Sequence, residues 1–518
     1  MKRYCIGIIL LIIALTGCAP LLKGGRELSD VSYGQLTIFL NGPERTSLDI
    51  TFNLTEVSVV ARDGTWKQVM NTPLSLNSID MVGRQVLLGE RYLPEERYEK
   101  IRFMVSQALL KRKGRLASLA VHPEGIELDI NVAVYEGQNT SLFLNWSPDT
   151  SIVDGYLFTP VFALKTKVPE LRTLLIYVTN EGSDNVSVVN RQLGAVVATI
   201  KVGKAPRGIA ISTTGERIKV YVANSGSNTI SVIDPTTNKV EYEIPIKFGR
   251  EPEGIALATI ASGRDFLFVA NYASNTVSVI DTVTYQEVER IGVGNGPIAV
   301  AADPPIETLA AARGLGFQDL NRLRSYRGRY FNVYVANKNS NNVSILKMDA
   351  SRNRCQEVIN LGLEWSPMAL AVDYQKGKVY VANYGSNNLS VIDLLQIIEG
   401  NKAGALSTIT NVGTSGIGVA IDPHFDRIYL LRESPGEVVF IKPLSEISSH
   451  LRMIMTPITG TVAVRKSPRA ISMDPEARKL YVVNRGSNTI SVIDKTTKKE
   501  EQVIPVSERP YGIAVFPY

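Results

Sequence analysis

One stretch recurs along the chain. VYVANSGSNTISVID, from Val220 to Asp234, has close copies beginning at Ile176, Leu267, Val333, Val379 and Leu480, and an eroded copy at Ile428. Repetition constrains a fold more tightly than composition does, because each unit must bury its apolar face against the next copy. Each copy reads as two β-branched runs of period two joined by a polar loop such as Asn224 to Asn228. Asn and Gly there tolerate the left-handed backbone of a tight turn. The expectation is seven hairpins.

A second element lies between the hairpins: PRGIAI at Pro206, PEGIAL at Pro252, PIAVAA at Pro297, PMALAV at Pro367, GIGVAI at Gly416, PRAISM at Pro468 and PYGIAV at Pro510. These short runs are heavy in Gly and Ala, as expected where sheets converge on an axis and only small side chains fit. With the run after each hairpin (VVATIKV at Val196, VEYEIPI at Val240), they give four strands, A to D, per period of roughly 45 residues. That is the signature of a β-propeller blade. The first unit begins at strand B, Ile176, and the chain finishes on an A strand, Pro510 to Phe516. The last strand should therefore complete the first blade and remove an open edge. The repeats resemble the YVTN family of seven-bladed propellers, whose name stands here as Tyr177 to Asn180.

The fold class expected is all-β: an N-terminal β-sandwich-like domain over 34–167, then a seven-bladed β-propeller over 173–518 closed by the C-terminal strand. The first region carries alternating runs such as GQLTIFL, SLDITFNLTEVSVVA and YEKIRFMV, separated by turn signals and without a helical pattern. It resembles a bacterial lipoprotein domain of unknown function, through Gly34-Gln-Leu-Thr, the Leu93 to Arg102 stretch and Gly155 to Pro160. That family's acidic loop stands here as Leu40-Asn41-Gly42-Pro43, without the Asp, so no cation is expected in it. A short linker, Val168 to Arg172, leaves the two domains little room to roam. One insertion, 304–330, is helix-like and basic; it reads as a docking element for the sandwich-like domain or a partner, or as a solvated excursion.

At the start, Lys2-Arg3, an apolar run from Tyr4 to Leu15 and Leu15-Thr16-Gly17-Cys18 read as a lipoprotein export signal over 1–17, with Cys18 the lipid-bearing residue and 18–33 a tether. The alternatives are a membrane anchor or an ordinary signal, but the run falls short of the ~20 residues a span needs. The resemblance to a lipobox implies a membrane partner through the lipid on Cys18, and Ala19 after it implies the outer membrane in a Gram-negative host. The cysteines agree with export without disulfides: Cys5 leaves with the signal, Cys18 carries lipid and Cys355 stands alone. The net charge of +6, two units of which belong to Lys2 and Arg3, is too mild to argue for nucleic acid.

No catalytic or metal-binding constellation is legible, and neither cofactor nor metal is expected. The three histidines, His122, His424 and His450, occupy unrelated positions, and there is no haem motif or phosphate loop. Asp234, Asp281, Asp393 and Asp494 resemble ligands as a set, but each ends strand C of a different repeat, where bonding to the backbone of the next turn is the simpler role. More informative is the residue after the A-strand Pro, which should ring the mouth of the central channel: Tyr511, Arg207, Glu253, Ile298, Met368, Ile417 and Arg469. That ring is polar on one side and apolar on the other. The eroded repeat adds Arg432 where the others carry Asn, with Lys466 and Arg509 nearby. The candidate ligand-binding residues are Arg207, Glu253, Arg432, Arg469 and Tyr511; as rim residues they should carry little packing, so that their removal barely alters melting. The function expected is binding of a cell-envelope partner, a protein, a glycan or a small anion, rather than catalysis. The alternative is a hydrolase resembling the propeller lactonases, with Glu253 as acid or base. Nucleic acid is not favoured, since only Tyr511 offers a stacking face. If Cys18 carries the lipid, wild type enters the detergent phase of a Triton X-114 partition and Cys18→Ala stays in the aqueous phase; a wild type already aqueous rules the anchor out.

Overall fold

Alternation of β-branched and small polar residues builds strands almost throughout. The structure, a computed structural model, describes residues 32–165, 170–212, 218–260, 263–305, 315–422, 427–442, 457–474 and 478–516. The export signal, Cys18, the tether before Ser32, linker positions 166–169, His424 and His450 lie outside the described residues.

The N-terminal region has two sheets. One has four strands in the order Phe162–Leu164, Asn139–Trp146, Tyr33–Asn41, Gln85–Pro94; the other is built on the long pair Asp49–Ala61 and Glu96–Arg112. Both turn their apolar faces to a shared core that includes Leu36, Ile38 and Leu144 from the first and Phe52, Ile101 and Phe103 from the second.

Beyond it stand seven four-stranded sheets. Sheet one comprises Leu175–Asn180, Asn185–Asn190, Ala195–Lys201 and the C-terminal strand Pro510–Val515. Sheets two to seven begin on Pro206–Ile211, Pro252–Thr259, Pro297–Ala302, Pro367–Asp373, Gly416–Asp422 and Pro468–Met473. These inner strands touch in cyclic order: each meets the next, and Pro510–Val515 meets those of both sheet seven and sheet two. The arrangement is propeller-like. Pairing of the last strand is antiparallel, with Ile176 opposite Val515, Tyr177 opposite Ala514 and Val178 opposite Ile513. Gly512 is needed at that junction, because a Cβ there would lie 2.3 Å from the Arg207 carbonyl oxygen.

The Asn of the repeat proves to be a buried clip between strands. Its Nδ2 donates to the Ser seven residues on, at 2.9 Å from Asn180 to Ser187, 2.8 Å from Asn224 to Ser231 and 2.9 Å from Asn271, Asn337, Asn383 and Asn484 to their serines. The left-handed residue of the hairpin is the next Asn (Asn228, φ 55; Asn275, φ 55; Asn488, φ 55) rather than the loop Gly226. The aspartates that end strand C bond backbone: Asp281 accepts from Val283 N at 2.9 Å and Asp494 from Thr496 N at 2.7 Å.

The N-terminal region sits against the seam where the ring closes. Phe39 and Phe143 of its four-stranded sheet enter one core with Val189 and Val196 of sheet one and Tyr481, Val492 and Ile504 of sheet seven. Around them Ser141 and Thr199 share a bond of 2.6 Å, and Gln85 Oε1 accepts from Val196 N at 2.9 Å. Glu90 is enclosed there, accepting from Ser183 at 2.7 Å, Ser507 at 3.2 Å and Asn185; burial raises its carboxyl above the usual range, partly offset by these donors.

The insertion is seated on the ring itself. Its described part forms helix α1, Phe317–Arg327, which packs on helix α2, Leu394–Ile398, and buries Leu323 in the core shared by sheets four and five. Arg327 donates to the Tyr374 hydroxyl at 2.7 Å and the Pro304 carbonyl at 2.9 Å. Among the described residues, then, the helix is no solvated excursion, and it packs on sheets four and five rather than on the N-terminal region.

Ending the chain after Ser507 would bare the Leu175–Asn180 edge and remove Ile513 and Val515 from the core at the seam. Burial of each large apolar side chain contributes roughly 1.5–3 kcal/mol. The truncated protein is expected to aggregate or to melt far below wild type in a thermal scan; a monomer with unchanged melting would contradict the closure.

Candidate functional site

The seven positions that follow the start of each inner strand do converge. Arg207, Glu253, Ile298, Met368, Ile417, Arg469 and Tyr511 all line one cavity of about 430 Å³ at one end of the ring. Each reaches it for the same local reason: the inner strand begins there. Immediately before each strand stands a left-handed residue, among them Ala205 (φ 48), Glu251 (φ 53), Ser366 (φ 56) and Ser467 (φ 47), whose carbonyl accepts the amide of the residue after the repeat Asn.

That amide belongs to a second ring which the sequence reading missed. Glu181, Tyr272, Lys338, Tyr384, Glu433 and Arg485 each follow the repeat Asn, or Arg432 in its place, and all line the same cavity. The signal was present: this is the most variable position inside an otherwise well-kept repeat.

The polar side is a connected chain. Glu253, only 4% exposed, accepts from Arg207 on Oε1 and from the Tyr511 hydroxyl on Oε2 at 3.0 Å. Tyr511 in turn accepts from Arg469, whose guanidinium lies 4.3 Å from the centre of its ring. Arg207 reaches on to Glu181 at 3.1 Å, and Glu181 also receives Arg485 at 3.1 and 3.0 Å and Arg509 at 3.6 Å.

Burial raises the carboxyl of Glu253 above the usual carboxylate range, against the pull of Arg207 and Arg469. Burial likewise pushes the Tyr511 phenol up to about 12. At Glu181 burial acts in the same sense but loses to Arg207 and Arg485, and its carboxyl falls below the usual range. Two carboxylates a few residues apart in the fold are thus held on opposite sides of their ordinary value.

Two candidates change role. Arg432 does not line the cavity: it donates to the Thr414 carbonyl at 2.9 Å and pairs with Glu437 at 2.5 Å, standing in for the Asn clip it replaces. Arg207 is no loose rim residue, since its side chain is 26% exposed and bridges two carboxylates. The expectation that its removal barely alters melting therefore falls. Of the other singled-out groups, Cys355 has its thiol pushed up to about 11 by burial and by Glu289, which leaves it unreactive. His122 lies in the turn after Arg115–Val121, far along the N-terminal region.

A larger hollow, about 1070 Å³, lies between the N-terminal region and sheets one and two. It is bordered by Lys165 and Glu170, on either side of positions outside the described residues, whereas the mouth is lined throughout by described residues and is the better candidate. Among the described residues no group of three or more His, Cys, Asp or Glu is placed to hold a metal ion.

Residues 34–160 match a domain of unknown function (DUF4382). No curated protein matches the chain. Among solved structures, a functionally unknown protein from Desulfotomaculum acetoxidans is similar over 66% of this chain and 98% of its own, at 11% identity and a TM-score of 0.50, a likeness of fold alone. Hydrazine synthase from Kuenenia stuttgartiensis matches 64% of this chain and 97% of its own at 18% identity and TM-score 0.49, and apo AztD from Citrobacter koseri 65% and 96% at 14% and 0.42.

Arg207→Ala leaves Glu253 buried without its ion-pair partner and is expected to cost roughly 1.5–3 kcal/mol in denaturant unfolding. Because burial holds Glu253 above its unfolded value, the native state binds that proton more tightly, so its share of stability falls as pH rises from the unfolded value through the folded one. This pH dependence should steepen in Arg207→Ala and disappear, with most of the stability recovered, in Arg207→Ala/Glu253→Gln.

Proposed function

We propose that the seven sheets are blades of a YVTN-type β-propeller carried behind a β-sandwich, and that the protein is exported, anchored by lipid on Cys18, and binds a cell-envelope partner at the propeller mouth. The observation that supports binding there is the convergence of two rings of repeat-variable residues on one cavity, the first ring polar on one flank and apolar on the other. Cavities of a few hundred Å³ with a few convergent polar groups are the usual form of a ligand site. The packing of the N-terminal sheet at the ring seam leaves the mouth uncovered on the described residues and gives a tethered domain something rigid to present.

A second reading, a lactonase-type hydrolase with Glu253 as acid or base, draws on the raised carboxyl beside two arginines. Against it, both Glu253 oxygens already accept bonds, from Arg207 and Tyr511, so the group is better placed to hold its neighbours than to exchange a proton with a substrate.

The test replaces Tyr384, at the mouth, or Leu116, 67% exposed on the N-terminal region, with a photo-crosslinking amino acid in the lipid-anchored protein in its native envelope. Position 384 should yield a defined adduct and position 116 none, and Arg469→Ala should reduce that adduct about tenfold, the loss of one charge-assisted contact. Equal labelling from both positions, or an adduct indifferent to Arg469, refutes the mouth as the site.

A further inference from the structure

The character of the cavity wall changes twice around the ring, and the ligand class can be read from where it changes. On the reading of the mouth as the binding site, one end of the change is Arg469 on sheet seven. Its neighbour on sheet six is Ile417, and Met368 and Ile298 continue an apolar arc through sheets five and four; all three belong to one core cluster. The arc ends at Glu253 on sheet three.

The two ends of the arc differ in what they have left to offer. Each Glu253 oxygen already accepts a bond, one from Arg207 and one from Tyr511. Arg469 has donors left: a guanidinium carries five N–H donors, and among the described residues its acceptor is the neutral hydroxyl of Tyr511. Among the described residues no carboxylate forms an ion pair with Arg469: Glu181 pairs with Arg207, Arg485 and Arg509, and Glu253, which feels Arg469 at longer range, pairs with Arg207. A half-buried guanidinium with one neutral acceptor holds unused charge-assisted donors, and a planar oxyanion satisfies two of them at once. On the same arc, Lys338 beside Ile298 on sheet four and Glu433 beside Ile417 on sheet six line the cavity with one charge of each sign, Glu433 accepting from Tyr384 at 2.9 Å, so the arc adds no net charge.

We propose that the mouth takes a small amphipathic carboxylate, with its head on Arg469 and its apolar body laid along Ile417, Met368 and Ile298. Head and tail make separate demands. Acetate supplies the head alone, hexan-1-ol the tail alone, hexanoate both, and glucuronate a carboxylate on a polar body.

Calorimetric titration of the chain from Ala19 onward, which keeps every described residue, separates them. Hexanoate is expected to bind at least about tenfold more tightly than acetate, hexan-1-ol or glucuronate. Arg469→Gln should erase the preference of hexanoate over hexan-1-ol and Arg469→Lys should restore part of it, with circular dichroism showing both variants folded. Acetate or glucuronate binding as tightly as hexanoate overturns the apolar body, and hexanoate binding unchanged in Arg469→Gln overturns the head. If hexanoate fails to bind while the Tyr384 adduct still forms and still depends on Arg469, the ligand class is wrong and the site stands; if the adduct is missing too, both fall.

Discussion

Everything in the larger domain depends on one antiparallel pairing, that of Pro510–Val515 with Leu175–Asn180. Without it sheet one would have three strands and an open apolar edge, and the inner strands would form an arc rather than a cycle. The pairing joins residues more than 300 apart in sequence, so its loop-closure entropy is paid late and must be repaid by packing. Part of that return comes from outside the ring. Phe39 and Phe143 of the N-terminal region insert between sheets one and seven, beside the one sheet of the seven whose strands are brought together from distant parts of the chain.

Closure also makes the mouth. Seven inner strands enter the ring at the same height, so the residue at their start is presented to a common space whatever its chemistry. Most of these positions need only be compatible with that space, which frees them to carry charge. The cost is that carboxylates such as Glu253 are taken out of water, and they persist because Arg207 and Tyr511 accompany them. The same logic explains Arg432, which occupies a clip position and is held there by Glu437 instead of a serine.

The order of pieces was legible in the sequence because repetition multiplies a weak signal. No single hairpin of six residues per strand is persuasive, but seven in register are. The first ring of the mouth was legible for the same reason, as variation against a constant background. The second ring went unread because the residue after the repeat Asn was taken for loop; its amide bond to the left-handed residue of the preceding turn is what points it inward. The helical character of the insertion was legible but its seat was not, since α1 meets α2 and sheets four and five across contacts that no local pattern encodes.

By itself, then, the sequence determined the all-β class, the seven-fold repetition, the strand order within each unit and the two-sided character of the mouth, because these follow from period and residue type along the chain. The tertiary structure alone decided which charges are spent. Arg207 and Arg469 are the same residue at equivalent places in two repeats, yet one bridges two buried carboxylates and the other meets a neutral phenol. That difference is set by neighbours on adjacent sheets, Glu181 and Glu253 for Arg207 and Tyr511 for Arg469, and electrostatic partnership depends on distance in space, which one-dimensional text does not carry.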